Sequence, residues 1–337
     1  MNKPAFSILL PAYKAAGIIG ETIDSILNQT FKDFELIIID DKSPDNTYEI
    51  LEKYASKDNR IRLFLNKKNL GYSGNLQECF TKATGEFIFL MGNDNILSPI
   101  ALVRTYEGFQ MDPDVGVVTR PFYCFENRDI NRPVRAFGQP LDSSKDQIIS
   151  IFDSREKYLS IYTSIGQLSG LAMRRKWIEA PVNAHIFPAH AYPFFSVFRK
   201  HKAVKLHDYL LAVRIFSSQT RSMSSIYDPS PTWTWIKMFE ILLPGEKYEK
   251  PRHWGIDFIA HDYVGLIQIK NFGTAQQLFR EIGVLTKYRP RNLINLEFWF
   301  FVIGVTVTPR FILIPLVDWF KRTVKASKLK NIQLRLK

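Results

Sequence analysis

The chain has 337 residues, of which 46% are hydrophobic, with a formal net charge of +12 at pH 7 and two cysteines. This length suits one large α/β domain with an added helical part, and two isolated cysteines exclude a disulfide framework and indicate a reducing compartment. Basic chains commonly bind nucleic acid or anionic lipid, and no recognised nucleic-acid-binding motif is present, so we expect no nucleic-acid partner. The N-terminal MNKPAFSILLPAY enters a strand pattern at once; we therefore expect no signal peptide and residence in the cytoplasm.

Strand and helix patterns alternate over the first hundred residues. The first strand pattern is FSILLPAYKA, at residues 6–15, and the helix pattern GETIDSILNQT follows it. Further strand patterns contain ELIIIDD, IRLFLN and GEFIFLM. The four consecutive apolar residues at 36–39 are typical of a parallel strand that is covered on both faces. Alternation with short turns predicts βαβ units, and therefore an α/β fold with a mostly parallel sheet flanked by helices.

Polar residues follow two of these strands at the point where each strand ends. Asp40 and Asp41 come directly after the second strand, and residues 93–95, Asn-Asp-Asn, follow the fourth. The carboxyl ends of parallel strands are where open α/β sheets bind ligands. The alternative is that an aspartate only caps the next helix, since Asp45 and Asn46 precede TYEILEKY. One site built from several strand ends explains the repeated pattern.

The first hundred residues resemble the family 2 glycosyltransferases, which are inverting enzymes with a GT-A (Rossmann-like) nucleotide-sugar-binding fold. The matching segments are LLPAYKAAGIIGETIDSILNQTFKDFELIIIDDKSPDNT and NLGYSGNLQECFTKATGEFIFLMGNDN, with weaker matches at QLSGLAMRRKW and HDYLLAVRIFSSQ. The resemblance implies that residues 1–220 form a GT-A catalytic domain. Beyond it, amphipathic and apolar helix patterns predict a C-terminal helical region over residues 221–337.

The resemblance also implies which residues bind the nucleotide. Pro11, Ala12 and Tyr13 are expected to line its pocket, with the Tyr13 ring near a uracil-type base. Asp41 is expected to accept a hydrogen bond from the base, and Asn75 to lie in a loop near the nucleotide. The donor implied is a nucleotide sugar, most simply a UDP-sugar.

Asn93 and Asp94 take the place of the family's DxD-like metal motif, which here reads MGNDN, so that Asp94 is its only carboxylate. The resemblance therefore implies a divalent cation, Mg²⁺ or Mn²⁺, held by Asp94 on the donor diphosphate. Such hard cations prefer oxygen ligands and neutralise the charge of a departing diphosphate.

The position of the family's catalytic carboxylate is occupied by His190, in IFPAHAYPFFSVF. A neutral imidazole can take a proton from an acceptor hydroxyl near neutral pH, so His190 is the candidate general base. The alternative is an ordinary loop histidine, and Asp208 is the next residue to consider.

Two functions remain open at this point. The first is an inverting glycosyltransferase that moves a sugar to a lipid-linked or cell-surface polysaccharide acceptor. The second is a sugar-nucleotide-binding protein without catalysis that acts as a partner or regulator.

The most apolar stretch of the chain is EFWFFVIGVTVTPRFILIPLVDWF, at residues 297–320. It is long enough to span a bilayer, but Arg310 lies within it, and Pro309 and Pro315 are expected to break a helix. A helical hairpin that lies in the membrane interface is therefore expected, with Trp299 and Trp319 at headgroup level.

Residues 321–337 form a basic tail that carries seven Lys or Arg residues and no acidic residue. Such a tail beside an apolar segment is attracted to anionic lipid. The alternative is that the helices pack on the catalytic domain and that the tail is only solvated. We expect a protein that binds peripherally to an anionic membrane surface, at the inner face of the cell membrane.

Overall fold

The computed structural model describes residues 3–126, 129–180, 188–215, 227–320, 329 and 332–335. The chain divides into two compact units, which are Met1–Ser217 with Asn331–Lys337, and Ser218–Lys330. The sequence placed residues 221–337 in one region, whereas this division assigns residues 331–337 to the first unit.

Twelve strands lie within the described part of the first unit. In chain order they are β1 (Phe6–Ala12), β2 (Phe34–Asp40), β3 (Ile61–Leu65), β4 (Phe87–Leu90), β5 (Ile96–Leu97), β6 (Val115–Thr119), β7 (Phe122–Phe125), β8 (Pro133–Phe137), β9 (Gln147–Ile149), β10 (Ala172–Arg174), β11 (Lys202–Lys205) and β12 (Leu211–Arg214). The larger sheet has the order β3-β2-β1-β4-β10-β6-β11-β9, and the smaller sheet has the order β5-β12-β7-β8.

The larger sheet is mainly parallel, as the sequence predicted. Its neighbouring pairs β1–β2, β1–β4, β2–β3 and β6–β11 are parallel, whereas β10 runs antiparallel to β4 and β6, and β9 runs antiparallel to β11. All seven residues of β2 are buried, which confirms a strand covered on both faces. The sequence did not predict β10, because three residues carry too little periodicity.

Six helices accompany these strands: α1 (Ile19–Leu27), α2 (Thr47–Ala55), α3 (Gly71–Lys82), α4 (Ala101–Gln110), α5 (Arg155–Tyr162) and α6 (Ala191–Phe198). Helix α3 begins at Gly71, five residues before the segment LQECFTKAT, whose pattern predicts a helix. Gly71 has φ +72°, which glycine adopts without steric cost, and its N–H donates to Asn69 Oδ1 at 2.9 Å. This turn directs the chain from β3 straight into α3.

The carboxyl ends of the first strands lie together at one edge of the sheet. Ala12 is in register with Asp40, and Asp40 is in register with Leu65. The Asn66 N–H donates to the Asp40 carbonyl at 2.9 Å, and the Met91 N–H donates to the Leu9 carbonyl at 2.9 Å. The residues that follow β1, β2, β3 and β4 therefore share one edge, as the strand-end argument required.

The second unit is helical in its described part. It contains α7 (Pro231–Leu242), α8 (Glu249–Ile259), α9 (Val264–Phe272), α10 (Ala275–Tyr288), α11 (Leu296–Val307) and α12 (Arg310–Phe320). Its core includes Tyr263 and Leu266, which lie among the apolar side chains of α9, α10 and α11. Asn292 is fully buried, and its amide nitrogen donates to the carbonyls of Ala260 and Leu285 at 2.9 Å each. A buried amide that is satisfied in this way joins the ends of two helices.

The apolar segment at 297–320 forms two helices that meet at Pro309, as predicted for that proline. The prediction for Pro315 was wrong, because Pro315 lies inside α12. The hydrogen bond that Pro315 cannot form would have reached the Phe311 carbonyl, in a first turn that is exposed to solvent. Within the described residues, no helix combines the length and the apolar character needed to cross a bilayer.

Part of the basic tail lies on the first unit. Ile332 and Leu334 pack against the small sheet at Tyr123, Phe125 and Ala212. Arg335 donates its backbone N–H to the Tyr209 carbonyl at 3.0 Å, and its guanidinium pairs with Asp208. The other six basic residues of the tail lie outside the described residues, so the expectation that they bind lipid stays a prediction.

Candidate functional site

The two adjacent aspartates at the end of β2 have different surroundings. Asp40 accepts two hydrogen bonds from Ser43, from its N–H at 2.8 Å and from its hydroxyl at 2.6 Å, and so closes the turn after the strand. Asp41 Oδ1 accepts hydrogen bonds from Asn66 Nδ2 and from the Leu70 N–H, both at 2.8 Å. No hydrogen bond within the described part of the chain reaches Asp41 Oδ2. Asp40 therefore shapes the turn, and Asp41 retains an oxygen that can accept from a ligand.

Asn75 connects three of the strand ends. Its Nδ2 donates to the Ile39 carbonyl at 3.0 Å and to the Ala12 carbonyl at 3.4 Å, and its Oδ1 accepts from Asn66 Nδ2 at 3.2 Å. The expectation that Asn75 lies in a loop was wrong, since it is a buried residue of α3. Its amide holds the ends of β1 and β2 beside Asn66, a residue that the sequence gave no reason to single out.

Pro11 and Ala12 are the last two residues of β1, and Tyr13 follows them at the same edge. The Tyr13 side chain is half-buried, and its carbonyl accepts a long hydrogen bond of 3.4 Å from Asn93 Nδ2. Lys14 then adopts φ +48°, and its N–H donates to Ser43 Oγ at 3.0 Å. The turn after β1 is thus joined to the turn after β2 and to the Asn93 loop.

Hydrogen bonds from buried polar groups hold the loop after β4 in place. Ser169 Oγ accepts from the Gly92 N–H at 2.8 Å and from Asn95 Nδ2 at 2.7 Å. Asn95 Oδ1 in turn accepts from the Arg214 N–H at 3.0 Å. A Cβ on Gly92 would lie 2.9 Å from Asn95 Nδ2 and 3.3 Å from Asp94 Oδ1, so this close packing requires glycine.

Arg214 is a buried cation beside this loop, and no sequence pattern indicated it as a site residue. Its Nε donates to the Asp94 carbonyl at 3.3 Å, and its guanidinium pairs with Glu21 and lies 4.8 Å from the Phe125 ring centre. These two hydrogen-bond acceptors, Asp94 and Glu21, lie 120 and 193 positions away in the sequence, so no local pattern could have revealed them. Arg214 fixes the backbone that presents Asp94.

Asp94 is the only carboxylate of this loop, and the described residues contain no cluster of three or more His, Cys, Asp or Glu side chains that could hold a metal. The side chain is half-exposed, on a loop that Ser169 and Arg214 hold in place. Mg²⁺ commonly binds through one or two carboxylates together with substrate phosphates and waters. These residues therefore fit a cation that is shared with a diphosphate and do not fit a cation enclosed by protein alone.

His190 lies immediately before α6, where both of its ring nitrogens form hydrogen bonds. Nδ1 is 2.7 Å from the Tyr72 hydroxyl, and Nε2 is 2.9 Å from the Ile165 carbonyl. Because a carbonyl can only accept, Nε2 carries the proton, and Nδ1 accepts from Tyr72. Burial lowers the pKa of His190 to about 4, against the opposing effect of the Ile165 hydrogen bond. A base role for His190, which stays a prediction, requires Tyr72 to move aside or to pass the proton on.

We expect His190 to make folding less favourable in acid. Its pKa is lower in the folded state, so the neutral imidazole contributes stability above its unfolded pKa of about 6.5. That contribution is lost as the pH falls from about 6.5 toward 4, because only the unfolded chain takes up the proton there. Urea midpoints between pH 7 and pH 4 check this. The midpoint of His190→Gln should fall less steeply than that of the wild type, and parallel curves would contradict the expectation.

Asp208, the second candidate for the base, is a member of a structural ion network. It pairs with Arg104 at 3.0 Å and with Arg335, and His207 and Asp146 complete the cluster. Burial on its own raises the pKa of the Asp208 carboxyl, but the hydrogen bonds from Arg335 and Arg104 bring the pKa below its usual value. These contacts connect α4 to the segment before β12.

Known proteins share sequence with the first part of this chain. The family model described as Glycosyl transferase family 2 matches residues 7–180. An uncharacterized glycosyltransferase of Haemophilus influenzae is 36% identical over 98 residues, which are 29% of this chain and 39% of that protein. The GalNAc(5)-diNAcBac-PP-undecaprenol beta-1,3-glucosyltransferase of Campylobacter jejuni is 37% identical over 97 residues, which are 28% of this chain and 31% of that protein. The chain thus spans well under two thirds of either relative.

Solved structures share the fold over nearly the whole chain. TarS 1–349 of S. aureus aligns with a TM-score of 0.62 and 15% identity, covering 96% of this chain and 90% of that one. The same TarS segment has been solved with UDP-GlcNAc, with a TM-score of 0.60. The mannosyltransferase PcManGT of Pyrobaculum calidifontis, in complex with GDP-Man and Mn²⁺, aligns with a TM-score of 0.54 and 16% identity, covering 91% and 87%.

The structure has a mainly parallel sheet with polar residues gathered at adjacent strand ends, which is the edge where open α/β sheets bind ligands. Its architecture is similar to that of the GT-A protein TarS. The chain belongs to glycosyl transferase family 2, since the family model spans just over half of its residues.

Asp41→Asn is expected to weaken UDP binding by about 10–150-fold, the worth of one hydrogen bond to a charged group. The asparagine oxygen can keep the bonds from Asn66 and Leu70, while an NH₂ group replaces Oδ2 and faces the base N–H. Calorimetric titration with UDP measures the effect. Because cytosine presents an acceptor at the same ring position, the preference for UDP over CDP should narrow.

The matched control for this substitution is Asp40→Asn, the same change one residue earlier. Both Asp40 oxygens are occupied by Ser43, so UDP affinity should stay near that of the wild type. Equal UDP affinity in Asp41→Asn and the wild type would remove Asp41 from the nucleotide site.

Proposed function

We propose that this chain is an inverting glycosyltransferase that uses a nucleotide-sugar donor, most simply a UDP-sugar, and a lipid-linked or cell-surface polysaccharide acceptor. The observation that carries the proposal is one sheet edge that holds Asp41, with an oxygen left for a ligand, beside the rigidly supported Asp94 loop. The UDP-GlcNAc complex of TarS supports the donor class. The name of the Campylobacter relative, which includes PP-undecaprenol, supports a lipid-linked acceptor.

The chemistry follows from the roles of these residues. Pro11, Ala12 and Tyr13 line the nucleotide pocket, and Asp41 accepts from the base. A divalent cation, Mg²⁺ or Mn²⁺, held by Asp94 and flanked by Asn93, supplies neutralisation of the diphosphate charge when it is bound.

The displacement itself exchanges one bond for another. The acceptor oxygen forms a bond to the anomeric carbon on the face opposite the diphosphate, and the bond from that carbon to the diphosphate oxygen breaks. The acceptor proton goes to His190, either directly or through Tyr72. Opposite approach and departure invert the anomeric configuration.

The site of action proposed is the cytoplasmic side of the cell membrane, with the protein bound peripherally. Cys79 and Cys124 are buried and form no disulfide in the described structure, which suits a reducing compartment. A sugar-nucleotide binder without catalysis is not favoured, because the matching relatives are named glycosyltransferases.

The test has two parts. A thermal-shift screen over nucleoside diphosphates and their sugars, with and without Mn²⁺, identifies the donor class. Release of nucleoside diphosphate with a lipid-linked acceptor, followed by determination of the product's anomeric configuration, tests transfer and inversion. Failure of every nucleotide to bind in the presence of Mn²⁺ would contradict the proposal.

A further inference from the structure

Apart from Glu297 and Thr306, helix α11 in the second unit consists of apolar residues. Its buried face consists of Phe298, Val302 and Val305, which join the core of this unit. A second stripe, repeating at the same helical spacing, is exposed to solvent and consists of Leu296 (87%), Phe300 (75%), Ile303 (56%) and Val307 (74%). A helix that is hydrophobic all round normally lies in a protein core or in a membrane.

Helix α12 extends the same surface. Leu313 is its buried apolar residue, whereas Phe311, Ile312, Leu316 and Trp319 are exposed. Monomeric soluble proteins rarely expose contiguous apolar surface on this scale unless something binds it. Helices of twelve and eleven residues are about 18 and 17 Å long, well short of the roughly 30 Å of a hydrocarbon core. The surface formed by the exposed side chains of α11 and α12, here called the apolar face, therefore suits lying in an interface.

A cationic cavity lies where these two helices meet. It has a volume of about 190 Å³ and is lined by Lys270, Thr274, Ala275, Leu278, Phe279, Thr306 and Arg310. One water in the liquid takes about 30 Å³, so the cavity can hold a group the size of a phosphate. Thr274 caps the positive N-terminus of α10 at the same place.

Lys270 and Arg310 give this cavity its charge. Arg310 donates to the Gly273 carbonyl, which anchors its guanidinium on the body of the unit. Neither cation forms an ion pair with a carboxylate in the part of the chain that the structure describes. Two cations without carboxylate partners, between apolar walls and next to exposed apolar helices, match a lipid phosphate that remains attached to its acyl chains.

We propose that the second unit docks on an anionic phospholipid bilayer, with the apolar face inserted into the interface and a lipid phosphate held between Lys270 and Arg310. Charge favours this occupant over a second copy. A symmetric dimer through the same surface would bring two such cationic cavities toward one another. The inference rests on the proposed function only in naming the membrane as the partner that brings the enzyme to a lipid-linked acceptor.

Co-sedimentation of the full chain with vesicles tests this proposal without donor or acceptor. The wild type should bind phosphatidylglycerol-containing vesicles more tightly than pure phosphatidylcholine vesicles. Lys270→Gln with Arg310→Gln should weaken binding to the anionic vesicles by about 30-fold, which is about 2 kcal/mol. Phe300→Ser with Ile303→Ser should remove binding to both vesicle types.

Matched controls keep the test specific. Phe152→Ser changes a half-exposed apolar residue of the first unit, and Lys287→Gln changes an exposed lysine outside the cavity, so both should bind as the wild type does. The single variant Lys270→Gln should fold normally, because the Lys270 side chain forms no hydrogen bond in the described structure. It therefore shows the effect of the lost charge without misfolding. Transfer to a soluble acceptor should be unchanged in every variant, which separates failure of docking from failure of the proposed function.

Three results would overturn the proposal. Unchanged vesicle binding by Phe300→Ser with Ile303→Ser would exclude the apolar face as the membrane-binding surface. Equal affinity of the wild type and the Lys270 and Arg310 variants for anionic vesicles would exclude the phosphate cavity. A dimer in sedimentation velocity that Phe300→Ser dissociates, with no binding to vesicles, would assign the surface to a second copy of the chain.

Discussion

Asp94→Asn is expected to abolish Mn²⁺-dependent UDP binding and to slow sugar transfer by about 10²–10⁴-fold. Asp94 supplies the only negative charge of its loop, and an amide of the same shape cannot replace it at a divalent cation. The cation contributes several kcal/mol of charge stabilisation, and each 1.36 kcal/mol is a tenfold change in rate. Calorimetry with UDP in Mn²⁺ or in EDTA, together with nucleotide release, measures both effects.

The structure selects the control for this experiment. Among the residues that the structure describes, the Asn93 side chain forms only the long bond of 3.4 Å to the Tyr13 carbonyl, so Asn93→Ala should be mild. Asn95→Ala is unsuitable, because Asn95 is buried and holds both Ser169 and Arg214. If Asp94→Asn retains metal-dependent turnover, residues other than Asp94 hold the diphosphate. Arg214 would then be the first residue to examine.

His190→Ala is expected to lower the transfer rate by about 10²–10⁴-fold, the usual worth of general acid–base catalysis, with little change in donor affinity. Burial gives this imidazole a pKa of about 4, close to the value of about 3.9 for an ordinary aspartate. A buried histidine therefore matches the base strength of the carboxylate that the family resemblance implies at this position, without its negative charge.

This value also changes the expected pH profile. An imidazole with an unperturbed pKa would lose activity below about pH 6.5. With its pKa near 4, His190 stays neutral through the physiological range, so its acidic limb should appear near pH 4. Transfer rates measured from pH 8 to pH 4, relative to donor affinity at each pH, show whether activity is lost near pH 6.5 or near pH 4.

Tyr72→Phe distinguishes the two routes for the proton. If the proton passes through the Tyr72 hydroxyl, this variant should lose as much activity as His190→Ala. If Tyr72 only orients the ring, the loss should be much smaller, because Nδ1 becomes available to the acceptor. Near-normal transfer by His190→Ala would exclude His190, and the ion pairs of Asp208 make that carboxylate a poor replacement.

The sequence was sufficient to predict β1 to β4 and the edge where these strands end, because continuous apolar runs and the residues after them are local signals. It could not distinguish Asp40 from Asp41. That distinction depends on Ser43 for one carboxylate and on Asn66, 25 positions away, for the other. Local sequence patterns specify where a strand ends. Contacts between different strands, helices and loops decide which carboxylate oxygen can still accept a hydrogen bond from a ligand.

The same limit applies to the His190 and Asp94 sites. Tyr72 lies 118 positions before His190, and Ser169 and Arg214 reach the Asp94 loop from beyond residue 160. The apolar helices were visible in composition, but Lys270 became a candidate ligand only when folding brought it beside Arg310. Tertiary packing therefore created the features that now define the experiments.

The docking of Ile332 and Leu334 on the small sheet has a consequence for biosynthesis. These residues leave the ribosome more than a hundred residues after β12, a delay on the order of ten seconds at typical elongation rates. During that interval the nascent first unit lacks two of the apolar residues that pack beside Tyr123 and Phe125, while the helical unit is being made. Translation thus completes the helical unit before the first unit can acquire its full surface.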